Sequence, residues 1–279
     1  MFCNFTGMNK IETSIKLLQN AESLALKYQP YGFHLAFSGG KDSQVIYHLA
    51  KMAGVKFKAF MQVTTIDPPE LMKFVRKNYP DVIMQRPEMN FYELIKKKKS
   101  LPTRTIRYCC QVLKEGAGGN TVTVMGIRKA ESARRSKRNE LEISGHKYSN
   151  SFDQFNIDNE SQILCISGKD KILLSPIINW TNSDVWNFIR NNNIEYCKLY
   201  DEGYTRIGCV FCPMASVKSK KRDRKRYNGI EKQIKKSIAY LQELGKLDYF
   251  KDADDVFNWW VSNMSAAEYL SKKNQTELF

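Results

Sequence analysis

The chain has 279 residues, 42% of them hydrophobic and 26% charged, which excludes a disordered polypeptide and allows one large domain or a domain with an appendage. Its 44 Lys and Arg against 29 Asp and Glu leave a net charge of +15, which favours polyanionic partners, nucleotides or nucleic acid, although a solvated basic surface accounts for the same surplus. No run approaches the ~18 apolar residues that cross a bilayer. Met1 to Lys16 lacks the apolar core of a secretory signal, so the expected compartment is the cytoplasm, with no membrane partner.

Apolar residues at 11, 15, 18, 24 and 26 predict an opening helix from Ile11 to Tyr28, ended by Pro30 and Gly32. Phe33 to Phe37 reads as a short buried strand running into Ser38. Gln44 to Ala53 carries Val45, Ile46, Leu49 and Ala53 on one face, a helix closed by Gly54. Lys56 to Val63 alternates as a second strand; Pro68 and Pro69 suit the first turn of a helix over Glu70 to Asn78, and Val82 to Met84 is a third strand. Strands alternating with helices at this spacing predict an α/β fold, a Rossmann-like parallel sheet with helices on both faces. Thr121 to Met125 continues the pattern as a β-branched run into Gly126-Ile127-Arg128. The polar, Asn-rich residues 141 to 160 read as an exposed loop, and Ile163–Ile166 with Ile172–Ile178 as a hairpin around Gly168-Lys169-Asp170. Thr181 caps a further helix, with Asp184 reaching back and Trp180 stapling onto Val185. Beyond Cys212 the chain turns Lys-rich and helical, so the expected division is 1–215 and a small basic helical region, 216–279.

Ser38-Gly39-Gly40-Lys41-Asp42-Ser43 joins a strand to a helix. Its glycines let the backbone bring amides against an anion, and the helix N-terminus adds its dipole. Lys41 adds positive charge, and Ser38 and Ser43 add hydroxyl donors. It is not the Walker pattern; a Gly-rich turn without chemistry is the plain alternative.

Seven cysteines include a tandem pair, Cys109-Cys110, and a CxxC, Cys209 to Cys212, too closely spaced for a secreted disulfide framework. Four thiolates suit a [4Fe–4S] cluster or tetrahedral zinc. Adjacent cysteines turn awkwardly toward one small ion, which favours the cluster; small apolar packing residues are the alternative.

The loop Ser38–Ser43 resembles the PP-loop of the adenine nucleotide alpha hydrolase, or ATP pyrophosphatase, superfamily. Thr64-Thr65-Ile66-Asp67-Pro68-Pro69-Glu70, Gly126-Ile127-Arg128 with Glu131-Ser132, Pro176-Ile177-Ile178 with Trp180, and Leu199-Tyr200 with Gly203 make roughly residues 25 to 215 resemble its phosphoadenosine phosphosulfate (PAPS) reductase family. The resemblance implies binding of ATP, adenylyl sulfate or PAPS, with Mg²⁺ for ATP, and chemistry at the α-phosphate. It also implies that Cys109, Cys110, Cys209 and Cys212 match the cluster ligands of adenylyl-sulfate reductases. Family reductases carry a nucleophilic cysteine on a C-terminal tail; no cysteine follows Cys212, and Cys3, Cys165 and Cys197 stand outside that motif and read as buried thiols. The expected function is therefore sulfur transfer at the α-phosphate of ATP, similar to the enzymes that activate DNA for phosphorothioation, with a sulfur-donor protein (a cysteine desulfurase or a thiol reductant) as partner. Sulfonucleotide reduction to sulfite, or nucleotide or nucleic-acid binding without catalysis, are the alternatives.

Lys41, Asp67 and Arg128 are the expected catalytic residues, with Arg128 also on the nucleotide. Asp67 either binds Mg²⁺ or ribose or caps the helix beginning at Pro68, and Asp42 positions Lys41. Arg134, Arg135 and Arg138 either face the ligand or scatter over the surface. Lys218 to Arg226 holds seven basic residues in nine, followed by Tyr227 and by Lys232, Lys235 and Lys236. It is either a track for DNA or tRNA or a solvated helix face. Lys96 to Lys99 reads as a solvated helix end, and Trp259-Trp260 as C-terminal core.

Overall fold

A computed structural model describes residues 9–143 and 171–277. In chain order they form α1 (Lys10–Tyr28), β1 (Phe33–Phe37), α2 (Lys41–Ala53), β2 (Phe57–Gln62), α3 (Pro69–Asn78), β3 (Ile83–Gln85), α4 (Phe91–Lys98), β4 (Val122–Val124), β5 (Leu141–Ile143), β6 (Ile172–Leu174), α5 (Asn182–Asn191), α6 (Val217–Arg226), α7 (Asn228–Glu243), α8 (Ala253–Ser262) and α9 (Ala266–Glu277). They divide into two compact units, one of residues 1–62, 69–85 and 116–207, the other of 63–68, 86–115 and 208–279.

The first unit is built on a six-stranded sheet of order β3-β2-β1-β4-β6-β5. All neighbouring strands run parallel except the edge pair β5–β6. Phe33, His34 and Leu35 are buried in succession, as are Val122, Thr123 and Val124. Since successive side chains point to opposite faces, both faces of the sheet are covered, as an α/β fold requires. The apolar stripe of α1 (Leu17, Leu18, Ala21, Leu24, Ala25) and that of α2 (Val45, Ile46, Leu49, Ala50) join the same core.

Local signals set several boundaries. Asn9 closes a capping box with Glu12 at the head of α1, and Thr181 with Asp184 does the same for α5. Gly54 ends α2 in the left-handed conformation at φ 68°. Three expectations change. The helix after the first loop begins at Lys41, three residues before Gln44, because Gly40 serves as its extended N-cap with no capping side chain. Leu141–Ile143, expected within a loop, is the antiparallel edge strand beside β6. Finally, β6 ends at Leu174 instead of Ile178, since Pro176 cannot donate to a ladder and the chain turns there, Ile178 N bonding Ser175 O at 3.1 Å. The expected hairpin partner Ile163–Ile166 and its turn lie outside the described residues.

The second unit is helical. Phe91, Leu94 and Ile95 of α4, Ile234, Ile238 and Leu241 of α7, and Val256, Phe257 and Trp260 of α8 make its core. Phe211 meets Phe257 edge to face at 5.2 Å. Trp260 Nε1 donates to Pro102 O at 2.6 Å, and Trp259 stacks on Phe250 at 5.0 Å, so both tryptophans are structural. Residues 86–115 and the cysteine segments therefore pack with the C-terminal helices, an arrangement the expected boundary at residue 215 does not contain. No helix among the described residues is long and apolar enough to cross a membrane.

Candidate nucleotide and cysteine sites

In the first unit the chain lays β2 and β3 on one side of β1, then returns to place β4 on the other. The carboxyl ends of β1 and β4 flank that reversal, where open α/β sheets receive ligands. Ser38–Gly40 follows β1, and Gly126–Arg128 lies just beyond β4.

The first loop is closed on itself. Ser43 Oγ donates to Gly40 O at 2.8 Å and accepts from Ser38 N at 3.1 Å, with Ser38 Oγ at 3.2 Å. Gly39 has φ 70°, and a Cβ there would lie 2.6 Å from Val75 Cγ2 and 2.8 Å from Leu71 Cδ1. The turn is thus pressed against α3, and only glycine combines that angle with that closeness. The second loop is equally tight, since a Cβ on Gly126 would meet the Asp42 carbonyl at 2.9 Å.

That closeness brings Arg128 to Asp42. Arg128 Nε donates to Asp42 Oδ1 at 2.7 Å, and Lys41 Nζ to Asp42 Oδ2 at 3.0 Å. The Lys41 and Arg128 side chains are each only 5% exposed and Asp42 19%. Two buried cations share one carboxylate, leaving one positive charge to be balanced. Glu131 accepts from the Arg128 backbone N at 3.1 Å and pairs with Arg135, while Arg138 pairs with Glu142, so those two arginines are engaged at the surface; Arg134 is exposed. Tyr200, 159 residues away, accepts from Lys41 N through its hydroxyl at 2.9 Å and packs edge-on against Trp186 at 5.1 Å. Burial pushes its phenol up. Sequence reasoning gave Tyr200 no role, and no local spacing signals so distant a contact.

Asp67 belongs to the second unit. Its Oδ2 accepts from Thr64 N at 2.6 Å, holding the turn in which Thr65 has φ 67°. This bond reaches back along the chain, not forward to the first turn of α3.

The four cysteines also belong to the second unit. Cys109 and Cys110 lie on one helical turn, Tyr108–Cys110, that runs into a π turn, Gln111–Glu115. Val210 N donates to Ile66 O at 2.8 Å, and Cys209 Sγ to Thr64 Oγ1 at 3.4 Å, fixing the CxxC beside the Thr64 turn. Phe211, between the cysteines, has φ 54° and donates from its backbone N to Asp223 Oδ2 at 3.0 Å. The thiols feel one another. A hydrogen bond from Cys109 lowers Cys110, helped by Lys114 and Arg107, and raises Cys109 itself. Burial and the neighbouring Cys209 raise Cys212. Lys114 is raised by Cys209 first, then by Asp67 and Cys110. Among the described residues, no three of the His, Cys, Asp and Glu side chains are gathered as they would be around a single metal ion. Cys197 is a buried thiol in the first unit's core; Cys3 and Cys165 lie outside the described residues.

Residues 32–215 match the family model described as the phosphoadenosine phosphosulfate reductase domain. The chain belongs to that family. Among sequence relatives, adenosine 5'-phosphosulfate reductase 2 of Bacillus subtilis is 26% identical over 78% of this chain and 88% of its own. An uncharacterized protein of Methanocaldococcus jannaschii is 30% identical over 72% of this chain. The chain spans 47% of that relative's length and 35% of a second archaeal one's. Among solved structures, the phosphoadenylyl-sulfate reductase of Candida auris, a phosphate complex, has a TM-score of 0.48 at 16% identity, covering 72% of this chain and 89% of that one.

Proposed function

We propose that the chain is an enzyme of sulfur metabolism that binds an adenine nucleotide at Ser38–Ser43 and acts at its α-phosphate. The observation that carries this reading is the buried group Lys41–Asp42–Arg128, two cations on one carboxylate, set at the sheet reversal behind a loop of amides and hydroxyls. A phosphate or sulfate balances the surplus charge, and burial strengthens its attraction. Membership in the reductase family supports an adenylyl nucleotide as ligand.

With ATP and its Mg²⁺, an acceptor oxygen attacks the α-phosphorus. The bond to the bridging oxygen breaks, and pyrophosphate leaves with the electron pair. Lys41, Arg128 and the loop amides stabilise the charge that develops. Nucleic acid is the acceptor class that the basic C-terminal helices favour, and a thiol- or persulfide-carrying protein is the sulfur source. A second reading, reduction of adenylyl sulfate to sulfite by an external thiol, is favoured by the Bacillus relative, which matches over most of its length.

The chemistry of Cys109, Cys110, Cys209 and Cys212 fits an iron–sulfur cluster. All four are free thiols of the second unit, and four thiolates are the donor set of such a cluster. A cluster held there would supply electrons or sulfur and tie residues 109–110 to 209–212.

The test is product identification after anaerobic incubation with ATP (alone, with DNA and with tRNA), adenylyl sulfate and PAPS. AMP, or an adenylylated acceptor, with pyrophosphate supports the first reading, and sulfite supports the second. ADP, or no turnover of any of the three nucleotides, refutes both.

A further inference from the structure

The basic run 218–226 is not a uniform face; the fold sorts it. Lys220 is 1% exposed, with Nζ donating to Asn263 Oδ1 at 2.5 Å and lying 5.8 Å from the Trp260 ring. Arg224 reaches Glu231 at 3.1 Å and Asn258 at 2.8 Å, and Lys235 pairs with Glu231 at 2.7 Å and with Asp254. These three charges are spent inside the unit, holding α6 against α7 and α8.

Lys218, Lys221 and Lys225 are different. They are exposed, recur at i, i+3 and i+7 on one face of α6, and meet no carboxylate among the described residues. Asp223, the one acid of the helix, is buried and turned inward to the Phe211 amide. Lys232 and Lys236, one turn apart on α7, are exposed and unpaired in the same way. Arg224 of α6 and Lys232 and Lys235 of α7 line one shallow concavity, together with Asn228 and Glu231. Lys218 to Lys225 spans about 10 Å of helix, more than one phosphate group fills.

We infer that Lys218, Lys221, Lys225, Lys232 and Lys236 form a binding track for the phosphate backbone of a nucleic acid. The inference rests on the acceptor class proposed above and names its residues. A membrane surface fits less well, because an interfacial helix sets a Trp-, Phe- or Leu-rich face against lipid. Here the face opposite the lysines is buried in the unit's own core. Lysines without aromatic or amide partners at base edges recognise the backbone alone, so the track is indifferent to sequence.

The experiment measures binding of the full-length protein, without nucleotide, to a fluorescent 20-mer as single strand and as duplex, and to tRNA, between 50 and 300 mM salt. K218Q/K221Q/K225Q should weaken binding at 50 mM at least about tenfold and reduce the slope of log K against log salt by about 2–3. Its thermal midpoint should stay at the parent value. K16Q/K73Q/K77Q removes the same charge from exposed positions of the first unit and should leave affinity and slope within error. Equal effects from both triples would reduce the track to the +15 field and overturn the inference. So would absence of binding at 50 mM salt, or capture by phosphatidylserine vesicles with none by nucleic acid. Because no nucleotide is present, failure here leaves the α-phosphate reading standing, and failure of turnover leaves the track standing.

Discussion

Gly39→Ala separates two costs that the first loop combines. Its φ of 70° charges an L-residue about 1–2 kcal/mol. The overlap of a new Cβ with Val75 Cγ2 at 2.6 Å and Leu71 Cδ1 at 2.8 Å adds about 1–3 kcal/mol, because both neighbours are buried and cannot withdraw freely. The expected loss is roughly 2–5 kcal/mol, a large share of a domain's stability. Gly54 supplies the control: it has nearly the same φ, 68°, and a Cβ there meets nothing within 4 Å. Gly54→Ala should therefore cost about 1–2 kcal/mol, the backbone part alone. Val75→Ala in the Gly39→Ala background removes one of the two overlaps, so the double variant should be more stable than the sum of the singles by about 0.5–1.5 kcal/mol. Urea unfolding combined with hydrogen exchange on β1 and α2 amides assigns the loss to the first unit. Equal costs at Gly39 and Gly54, or strict additivity with Val75→Ala, would refute the account of a loop pressed onto α3.

Asp42→Asn leaves two buried cations without their carboxylate and should cost about 2–4 kcal/mol; pyrophosphate should raise the thermal midpoint of this variant more than the parent's, and an equal shift would detach the group from anion binding. His34, 6% exposed and stacked on Phe60 at 4.2 Å, is lowered to about 4 by burial and by Lys171. With its folded pKa below the unfolded one, its contribution is complete above about pH 6.5 and falls as pH drops through 4, about 3 kcal/mol in all. His34→Phe keeps the stack and should flatten that part of the stability profile; an unchanged profile would place the proton elsewhere. Cys209→Ser and Cys212→Ser should lose iron and acid-labile sulfide from anaerobically purified protein while Cys197→Ser retains both, and retention in all three would end the cluster assignment.

The legible parts of the molecule are those that local chemistry writes down. Thr181 and Gly54 mark helix ends because each satisfies orphaned backbone groups within four residues. The start of α2 hid because Gly40 caps through backbone conformation alone. Leu141-Glu142-Ile143 hid because three residues carry too little alternation to stand out from a polar stretch. In the first site, Lys41, Asp42 and Arg128 could be named from motif order, but one carboxylate shared between two buried cations, and the Tyr200 hydroxyl on the Lys41 amide, come only from tertiary closure. The basic run was visible as composition, whereas the division into spent and unspent lysines needed Glu231, Asn258 and Asn263 in place.

The discontinuous second unit bears on how the protein is made. Phe91, Leu94 and Ile95 leave the ribosome about 140 residues ahead of Ile234, Ile238 and Leu241, the partners that cover them. At 5–20 residues per second, that interval is roughly 7–30 s. Through it the nascent chain carries an apolar helix with no core and a pair of cysteines with no CxxC, while the first unit's parallel sheet is still gaining strands. Closure of the second unit has to wait until residues 208–262 have emerged. Ribosome-bound chains halted before residue 208 should therefore bind chaperones and aggregate, where full-length chains do not.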